Sequence, residues 1–282
     1  MTTLPAPTPG LHQGVPFETY CQWPAVNNSL LRILAEKSPA HARYYAEAGR
    51  EETPALAFGK AADAFILEPS RFFERYAVAP TVDRRTREGK AEWAAFEEGL
   101  GSREYISEAD YAKIQAIYMR VVDSQAMRLI EGGVAQVCAV WTDKPTGLLC
   151  KARFDYWRED IPMITDLKTT LSCKPDDFAK SIFNYGYYQQ AGFYAMGAAA
   201  LTGCDAPCFA VLAVEKDEPF VHAAYDLGLK TIDAGRLAAR AALTKYAECM
   251  ESGRWPSYSE KITTLDMPEW ALLQCGVNKY QI

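Results

Sequence analysis

The sequence predicts a mixed α/β fold: a central mixed β-sheet flanked by helices, with a helical elaboration on its N-terminal side. Three observations carry this expectation. Up to about residue 130 the chain has helical periodicity and almost no strand-like alternation. Three strand-like runs then follow one another between Ala135 and Thr170. The remainder reads helix, two strands, helix. Regular strand–helix alternation is missing, which excludes a doubly wound or barrel pattern, and there is no P-loop, G-x-G-x-x-G element or internal repeat.

Taken in order, residues 1–16 are rich in Pro, Gly and Thr without apolar periodicity and are expected to form a mobile tail. Residues 17–282 are expected to form one domain: a mainly helical part over 17–130, a catalytic core over 131–254 and a tail over 255–282. The run NNSLLRILAEKSPAHARYYAEAG predicts two short helices, the first capped by Asn28 or Ser29 and the second started by Ser38-Pro39. Ala57–Leu67 predicts a helix with Gly59 near its start, ending before Pro69. Residues 81–103 open on a basic cluster and continue as an amphipathic helix, and Asp110–Ile130 predicts another.

The runs AQVCAVWTD, TGLLCKARFDYW and PMITDLKTT predict three strands, with turns at Lys144-Pro145 and Glu159-Asp160. Pro175–Leu201 predicts one long helix, PCFAVLAVEK and PFVHAAYDL two strands, and Leu229–Ser252 a last long helix. Trp255-Pro256 and Pro268-Glu269-Trp270 are expected to pack as irregular coil.

Composition bounds the function classes. Thirty Lys and Arg against 36 Asp and Glu give a net charge of −6, unlike the basic excess of a general duplex-coating protein. A nuclease remains compatible, because its carboxylates can gather around metal ions while a few cations line the DNA path. The N-terminus has neither the basic nor the apolar region of a secretory signal, and no apolar run reaches the ~20 residues of a membrane span. The expected compartment is the cytoplasm, with no membrane partner. The eight cysteines are scattered, so they read as reduced core residues. Cys204-x-x-x-Cys208 falls short of the four ligands an iron–sulfur or zinc site requires.

The chemistry concentrates in CKARFDYWREDIPMITDLKTT. Alternate side chains of a strand share a face, so Asp166 and Lys168 project together, with Asp155 nearby on the preceding strand. Two carboxylates bind hard divalent ions through oxygen, and the ions assist phosphodiester hydrolysis by polarising the phosphate and activating water. A lysine beside them can orient or deprotonate that water, or neutralise developing charge. Asp-x-Lys alone is a common pattern on solvated strands, but Met163, Ile164 and Leu167 mark this strand as buried, where a charged pair without a role is costly. On the next helix Gln190 and Tyr194 stand four residues apart on one face, and a glutamine among so many apolar residues calls for a partner. Phe183, Tyr187 and Phe193 read as core aromatics. Lys151 and Arg153, beside the carboxylates, are the better candidates for phosphate contact, with Arg84, Arg85, Arg87 and Lys90 as a further basic segment.

The succession Gly59-x-x-x-Asp63, Arg153-Phe154-Asp155, Asp166-x-Lys168 and Gln190-x-x-x-Tyr194 resembles the motif order of PD-(D/E)xK nucleases of the RecB-type and exonuclease VIII branch. The wording of DRRTREGKAEW, TGLLCKARFDY, DLKTT, YGYYQQAGFYAMG and PEW is closer to exonuclease VIII (RecE-type) and related phage recombination exonucleases. The resemblance covers the chain from the SPAH segment to the C-terminal tail. It implies a restriction-endonuclease-like core, with Asp155 and Asp166 as metal ligands, the Leu167 carbonyl facing the metal, Lys168 as catalytic lysine, and Gln190 and Tyr194 organising site and DNA. It implies Mg²⁺, with Mn²⁺ as an alternative, and digestion of linear double-stranded DNA ends from 5′ to 3′. It further implies a homo-oligomeric ring, trimer or tetramer, in a bacterial or phage-infected cell, supplying 3′ overhangs to a RecT-like single-strand annealing protein. The basic segment from Arg84 to Lys90 would lie near the DNA entrance.

Two positions depart from that pattern. Asp63 stands where the family has a metal-binding His, and Gln136 where a Glu is common. Asp keeps an oxygen donor for Mg²⁺ or Mn²⁺, whereas an amide is a poorer ligand. A second reading therefore stays open, a decayed nuclease fold serving as a DNA- or protein-binding module. An iron–sulfur nuclease is a third, which the cysteine spacing disfavours.

Overall fold

A computed structural model of the chain describes residues 5–49 and 53–277. Its spine is a six-stranded sheet in the order β1-β4-β5-β6-β7-β8, antiparallel throughout except for the parallel β6–β7 pair. The chain enters through β1 (Gly10–His12), α1 (Phe17–Gln22), α2 (Asn28–Glu36), α3 (Pro39–Ala48) and α4 (Pro54–Leu67). It continues through α5 (Phe72–Arg75), β2 (Tyr76–Ala79), α6 (Arg87–Leu100), β3 (Glu104–Ser107) and α7 (Glu108–Val121). The remaining strands are β4 (Val134–Thr142), β5 (Leu149–Arg158), β6 (Met163–Thr170), β7 (Cys208–Glu215) and β8 (His222–Asp226). Between and after them lie α8 (Pro175–Asn184), α9 (Tyr187–Thr202), α10 (Leu229–Ser252) and α11 (Glu269–Gln274). This is the mixed, helix-flanked sheet the sequence predicts.

Two layers of helix cover the sheet. On one face Leu31, Phe193, Ala195, Ala239 and Leu243 from α2, α9 and α10 pack on Val137, Phe154, Ile164 and Val211. On the other, Ile66 of α4 and Ile117 and Val121 of α7 meet Leu167, Leu212 and Val214. A small outlying core around Phe72, Tyr76, Ile106 and Ile114 holds the parallel β2–β3 pair against α4 and α7. Caps expected from sequence chemistry recur. Asn27 accepts from Leu30 N, Ser38 from His41 N and Thr53 from Leu56 N, with Pro opening α3 and α4.

The structure corrects several expectations. The first cap is Asn27, not Asn28 or Ser29. The N-terminal segment does not hang free: β1 pairs with β4 (Gly10↔Val140, His12↔Cys138), and Arg153 donates to the Val15 carbonyl at 2.8 Å. Residues 1–4 of the expected tail lie outside the described residues. The helix expected over 110–130 ends at Val121 and resumes as a 3₁₀ turn over Gln125–Ile130. The helix expected over 81–103 is confined to α6, after which β3 forms. Pro175–Leu201 is two helices, because Gly186 at φ +67 breaks the run. In the C-terminal part, expected as coil, α11 forms, while its last five residues, 278–282, lie outside the described ones. No helix among the described residues is long and apolar enough to cross a membrane.

One polar clasp ties α10 to the turn between β4 and β5. Arg240 meets the buried Asp143 with two hydrogen bonds, 2.7 and 2.8 Å, and Thr146 Oγ1 donates to the same carboxylate at 2.6 Å. Burial alone would raise the Asp143 carboxyl, but the bonds from Arg240 and Thr146 overcome it and hold it below the usual range. A carboxyl lowered by folding contributes stability above its unfolded value near pH 4, and loses it as pH falls through the folded value. Arg240→Ala is therefore expected to cost about 2 kcal/mol at neutral pH. The gap in Tm between variant and wild type should narrow in thermal melts taken towards pH 3.

Candidate active site

The site forms where the sheet splays. β5 and β6 pair only through Tyr156↔Thr165, Trp157↔Ile164 and Arg158↔Met163, whereas β6 stays paired with β7 as far as Thr170. Beyond Thr165, β6 has lost its β5 neighbour. The side chain of Asp155 fills the gap, its Oδ2 accepting from Leu167 N at 2.9 Å in place of a ladder carbonyl. On the other side of Asp155, Gln136 interrupts β4 with φ +56, between the pairs Ala135↔Tyr156 and Val137↔Phe154. The face alternation shifts there on both strands. Phe154 and Trp157 enter one core while Tyr156 enters the other, and Val134 and Val137 share a core that Ala135 does not join.

Asp166 and Lys168 share a face of β6, as alternation predicts. Asp166 is 1% exposed and has two partners: its Oδ2 is ion-paired with Lys168 Nζ, and its Oδ1 accepts from Gln190 Nε2 at 2.7 Å. This is the partner that Gln190 called for. Tyr194 stands one turn on along the same face of α9. Lys168 Nζ lies 4.8 Å from the ring centre of Tyr187, a cation–π contact that gives α9 a second hold on the site. From the opposite layer α4 brings Asp63 into the field of Asp155.

Electrostatics make one unit of these groups. Burial and then the Asp166 charge push the Asp155 carboxyl up to about 7, against the pull of Lys168 and the Leu167 N–H. Asp63 is raised well above the carboxylate range by burial and by Asp155. Burial works against the Lys168 ammonium, but Asp166 and Asp155 more than offset it, so Lys168 stays charged. Tyr194 is held protonated by burial and the two aspartates.

One ammonium thus lies within the field of three carboxyl groups, of which Asp166 is buried. The donors are hard oxygens, Asp155, Asp166 and Asp63 with the Leu167 carbonyl, which is the chemistry a hard divalent cation takes. Among the described residues no three His, Cys, Asp or Glu side chains form a ready-made metal cage. Mg²⁺ is nevertheless commonly held by one or two carboxylates with water and substrate phosphate completing its shell. The residues fit such an ion, which Asp155 and Asp166 could hold.

The remaining expected residues fall elsewhere. Lys151 is only 2% exposed, and its ammonium donates to the carbonyls of Tyr20, Cys21 and Trp23 at 2.7, 3.0 and 2.7 Å. Burial draws it down to about 8. Its geometry is that of an anchor for the end of α1, with no donor left to offer a phosphate. Lys151→Met should therefore lower the urea midpoint, by about 2–3 kcal/mol in stability, through three carbonyls left without a partner. Limited proteolysis should then cut upstream of Val26 first.

Arg153 donates to Gln136 Oε1 at 2.7 Å and to Val15 O, and lies 5.7 Å from the Phe17 ring. Gln136 thus spends its carbonyl oxygen on Arg153. Arg84, Arg85, Arg87 and Lys90 are exposed around the start of α6, with Arg84 lying over Trp93 at 4.2 Å. No hydrogen bond or ion pair among the described residues joins them to the carboxylates. Of the aromatics read as core, Phe193 is buried and Tyr187 half-buried, but Phe183 is exposed. Sequence reasoning missed Tyr187 as the ring against Lys168. Its neighbours in YGYY hold no signal for which of the tyrosines turns inward.

A family profile described as a PDDEXK-like domain of unknown function (DUF3799) matches residues 29–268. The chain belongs to this PDDEXK-like family. No curated protein matches it by sequence. Among solved structures, a "putative exonuclease" from Eubacterium rectale superposes with a TM-score of 0.59 at 12% identity, covering 93% of this chain and 98% of that one. At that identity the likeness speaks for the fold alone. A second structure, SSO0001, reaches a TM-score of 0.30 at 10% identity over 79% of this chain and 85% of the other, and carries no argument. The PDDEXK-like assignment agrees with the splayed β5–β6 pair and its Asp, Asp and Lys. PD-(D/E)xK nucleases generally use divalent metals, and this family member presents oxygen donors suited to one.

Proposed function

We propose that the protein is a Mg²⁺-dependent exodeoxyribonuclease that digests linear double-stranded DNA from 5′ to 3′ and leaves 3′ single-stranded overhangs. One observation carries the reading: Asp155, Asp166 and Lys168 converge where β5 and β6 part, with Gln190 holding Asp166 from α9. When bound, a divalent ion would supply Lewis-acid activation of the phosphate and of the attacking water. Asp155 and Asp166 would hold that ion, with the Leu167 carbonyl beside them and Asp63 as a further oxygen donor. Lys168, ion-paired with Asp166, is placed to orient the water and to neutralise charge on the phosphate oxygens. Gln190 keeps Asp166 in one rotamer. The exonuclease VIII resemblance suggests a ring-shaped homo-oligomer and an annealing protein as the recipient of the overhangs.

A second reading has its own observation. Gln136 is committed to Arg153, and Lys168 occupies an oxygen of Asp166, as they would in a fold that has given up catalysis and binds DNA or protein. The deciding experiment is digestion of linear duplex DNA, with and without a 5′-phosphate and labelled at each end, in Mg²⁺, Mn²⁺ or EDTA. Loss of the 5′ label that requires metal supports the exonuclease. A folded protein that binds DNA but cuts nothing with either metal supports the binding module.

A further inference from the structure

We propose that the break between α8 and α9 forms a stacking platform for unpaired nucleobases, built by Phe183, Tyr185 and Tyr188 at the edge of the carboxylate–lysine site. The inference rests on the nuclease reading for its biological setting, but not for its test. Phe183 is 72% exposed and Tyr185 50% exposed, although both lie within a few residues of the buried heart of α9. Exposed aromatic rings so close to a buried charged site need a reason, and core packing does not supply one.

The local sequence explains how they come to be outside. Gly186 at φ +67 ends α8 and restarts the chain as α9, so side chains on either side of the break no longer follow one helical stripe. A Cβ at Gly186 would also stand 3.2 Å from Arg32 Cδ, which keeps the break pressed against α2. The rings then pair across it: Phe183 stacks on Tyr188 with centres 5.8 Å apart and planes 16° from parallel, and Tyr185 sits 5.7 Å from Tyr187.

Tyr187 links this surface to the chemistry, since its ring is the one that Lys168 overlies at 4.8 Å. Tyr185 therefore stands no more than about 10 Å from the lysine, within the span of about three stacked nucleotides along a strand. Arg32, beside the break, is paired with Glu36 at 2.6 Å. Neutral rings favour base faces over phosphates, and stacking on them is tolerant of sequence, as an enzyme moving along DNA requires. A strand whose scissile phosphate reaches Lys168 would thus rest its neighbouring unpaired bases on Phe183 and Tyr185.

The test uses the full chain in EDTA, where no digestion occurs, and a single-stranded oligodeoxynucleotide containing 2-aminopurine, whose fluorescence falls when it stacks on a ring. The wild type should quench it, Phe183→Ala and Tyr185→Ala should each bind about tenfold more weakly, and Tyr185→Phe should bind like the wild type. Circular dichroism confirms that the variants fold. In Mg²⁺ the loss in digestion should fall on KM more than on kcat. Unchanged quenching in both alanine variants overturns the proposal. So does a change in oligomeric mass by light scattering without a change in quenching, which would make the rings a contact between copies. A wild type that quenches but cuts no DNA in any metal would sink the nuclease reading and leave the platform standing.

Discussion

Lys168→Ala is expected to lower metal-dependent DNA digestion by about 10²–10³-fold while leaving a folded protein that still takes up divalent ions. The two halves of that expectation have separate causes. The ammonium is ion-paired with the buried Asp166 and acts on Asp155 and Asp63, and its removal withdraws charge available to a phosphate in the site. The same removal frees Asp166 Oδ2, so the remaining oxygens compete less with a bound ion. A Mg²⁺ or Mn²⁺ titration followed by thermal shift should therefore give a rise in Tm at least as large as in the wild type. Asp155→Asn should behave differently. It removes a charge from a carboxylate proposed to hold the ion and weakens the acceptor for the Leu167 N–H, so activity and the metal-induced rise in Tm should fall together. If Lys168→Ala cuts DNA at the wild-type rate, the assignment of Lys168 fails, whatever the fold.

How much of this was legible in the sequence depends on the range of the interaction involved. Asp166 and Lys168 could be placed together because strand alternation is local, and their juxtaposition needed only that β6 be a strand. Gln190 could be singled out because a lone amide on an apolar helix needs a partner, and Asp166 provides it. The splay at Asp155 could not be seen. It depends on Gln136 adopting φ +56, a conformation that Gly or Asn would have advertised and Gln does not. Lys151 and Arg153 looked like phosphate ligands because basic residues beside carboxylates usually are. Lys151 instead binds the carbonyls of Tyr20, Cys21 and Trp23, and Arg153 binds Gln136 and the Val15 carbonyl, most of these partners about 130 positions away along the chain. Residues 1–16 lack periodicity and so resemble a tail, because a three-residue strand such as β1 is too short to show any. The break at Gly186 leaves no local signal, because a single Gly inside a helical pattern is usually tolerated.

Gly235→Ala should be the most damaging single methyl in the molecule, and its effect should reach the site without touching it. α9 and α10 cross with their backbones in contact. A Cβ on Gly235 would stand 1.8 Å from the Tyr188 carbonyl oxygen, and one on Gly192 would stand 2.1 Å from the Gly235 carbonyl carbon. Neither neighbour is a flexible side chain that could move aside, so the helices must part. Forcing atoms into a packed core typically costs 1–3 kcal/mol, and backbone against backbone places this change at about 3 kcal/mol or more. Tyr187, Gln190 and Tyr194 all ride on α9 within a turn of the crossing, so lifting that helix also withdraws the hydrogen bond to Asp166. Loss of digestion should accordingly exceed the loss of folded protein, when activity is measured well below the variant's melting temperature. Gly99→Ala is the control. It lies in α6 with nothing within 4 Å of the added Cβ, and should be neutral or stabilising by up to about 1 kcal/mol through helix propensity. Equal melting temperatures for Gly235→Ala and wild type would show that α9 and α10 do not hold the separation described, and would remove the basis for treating α9 as the element that fixes Gln190 over Asp166.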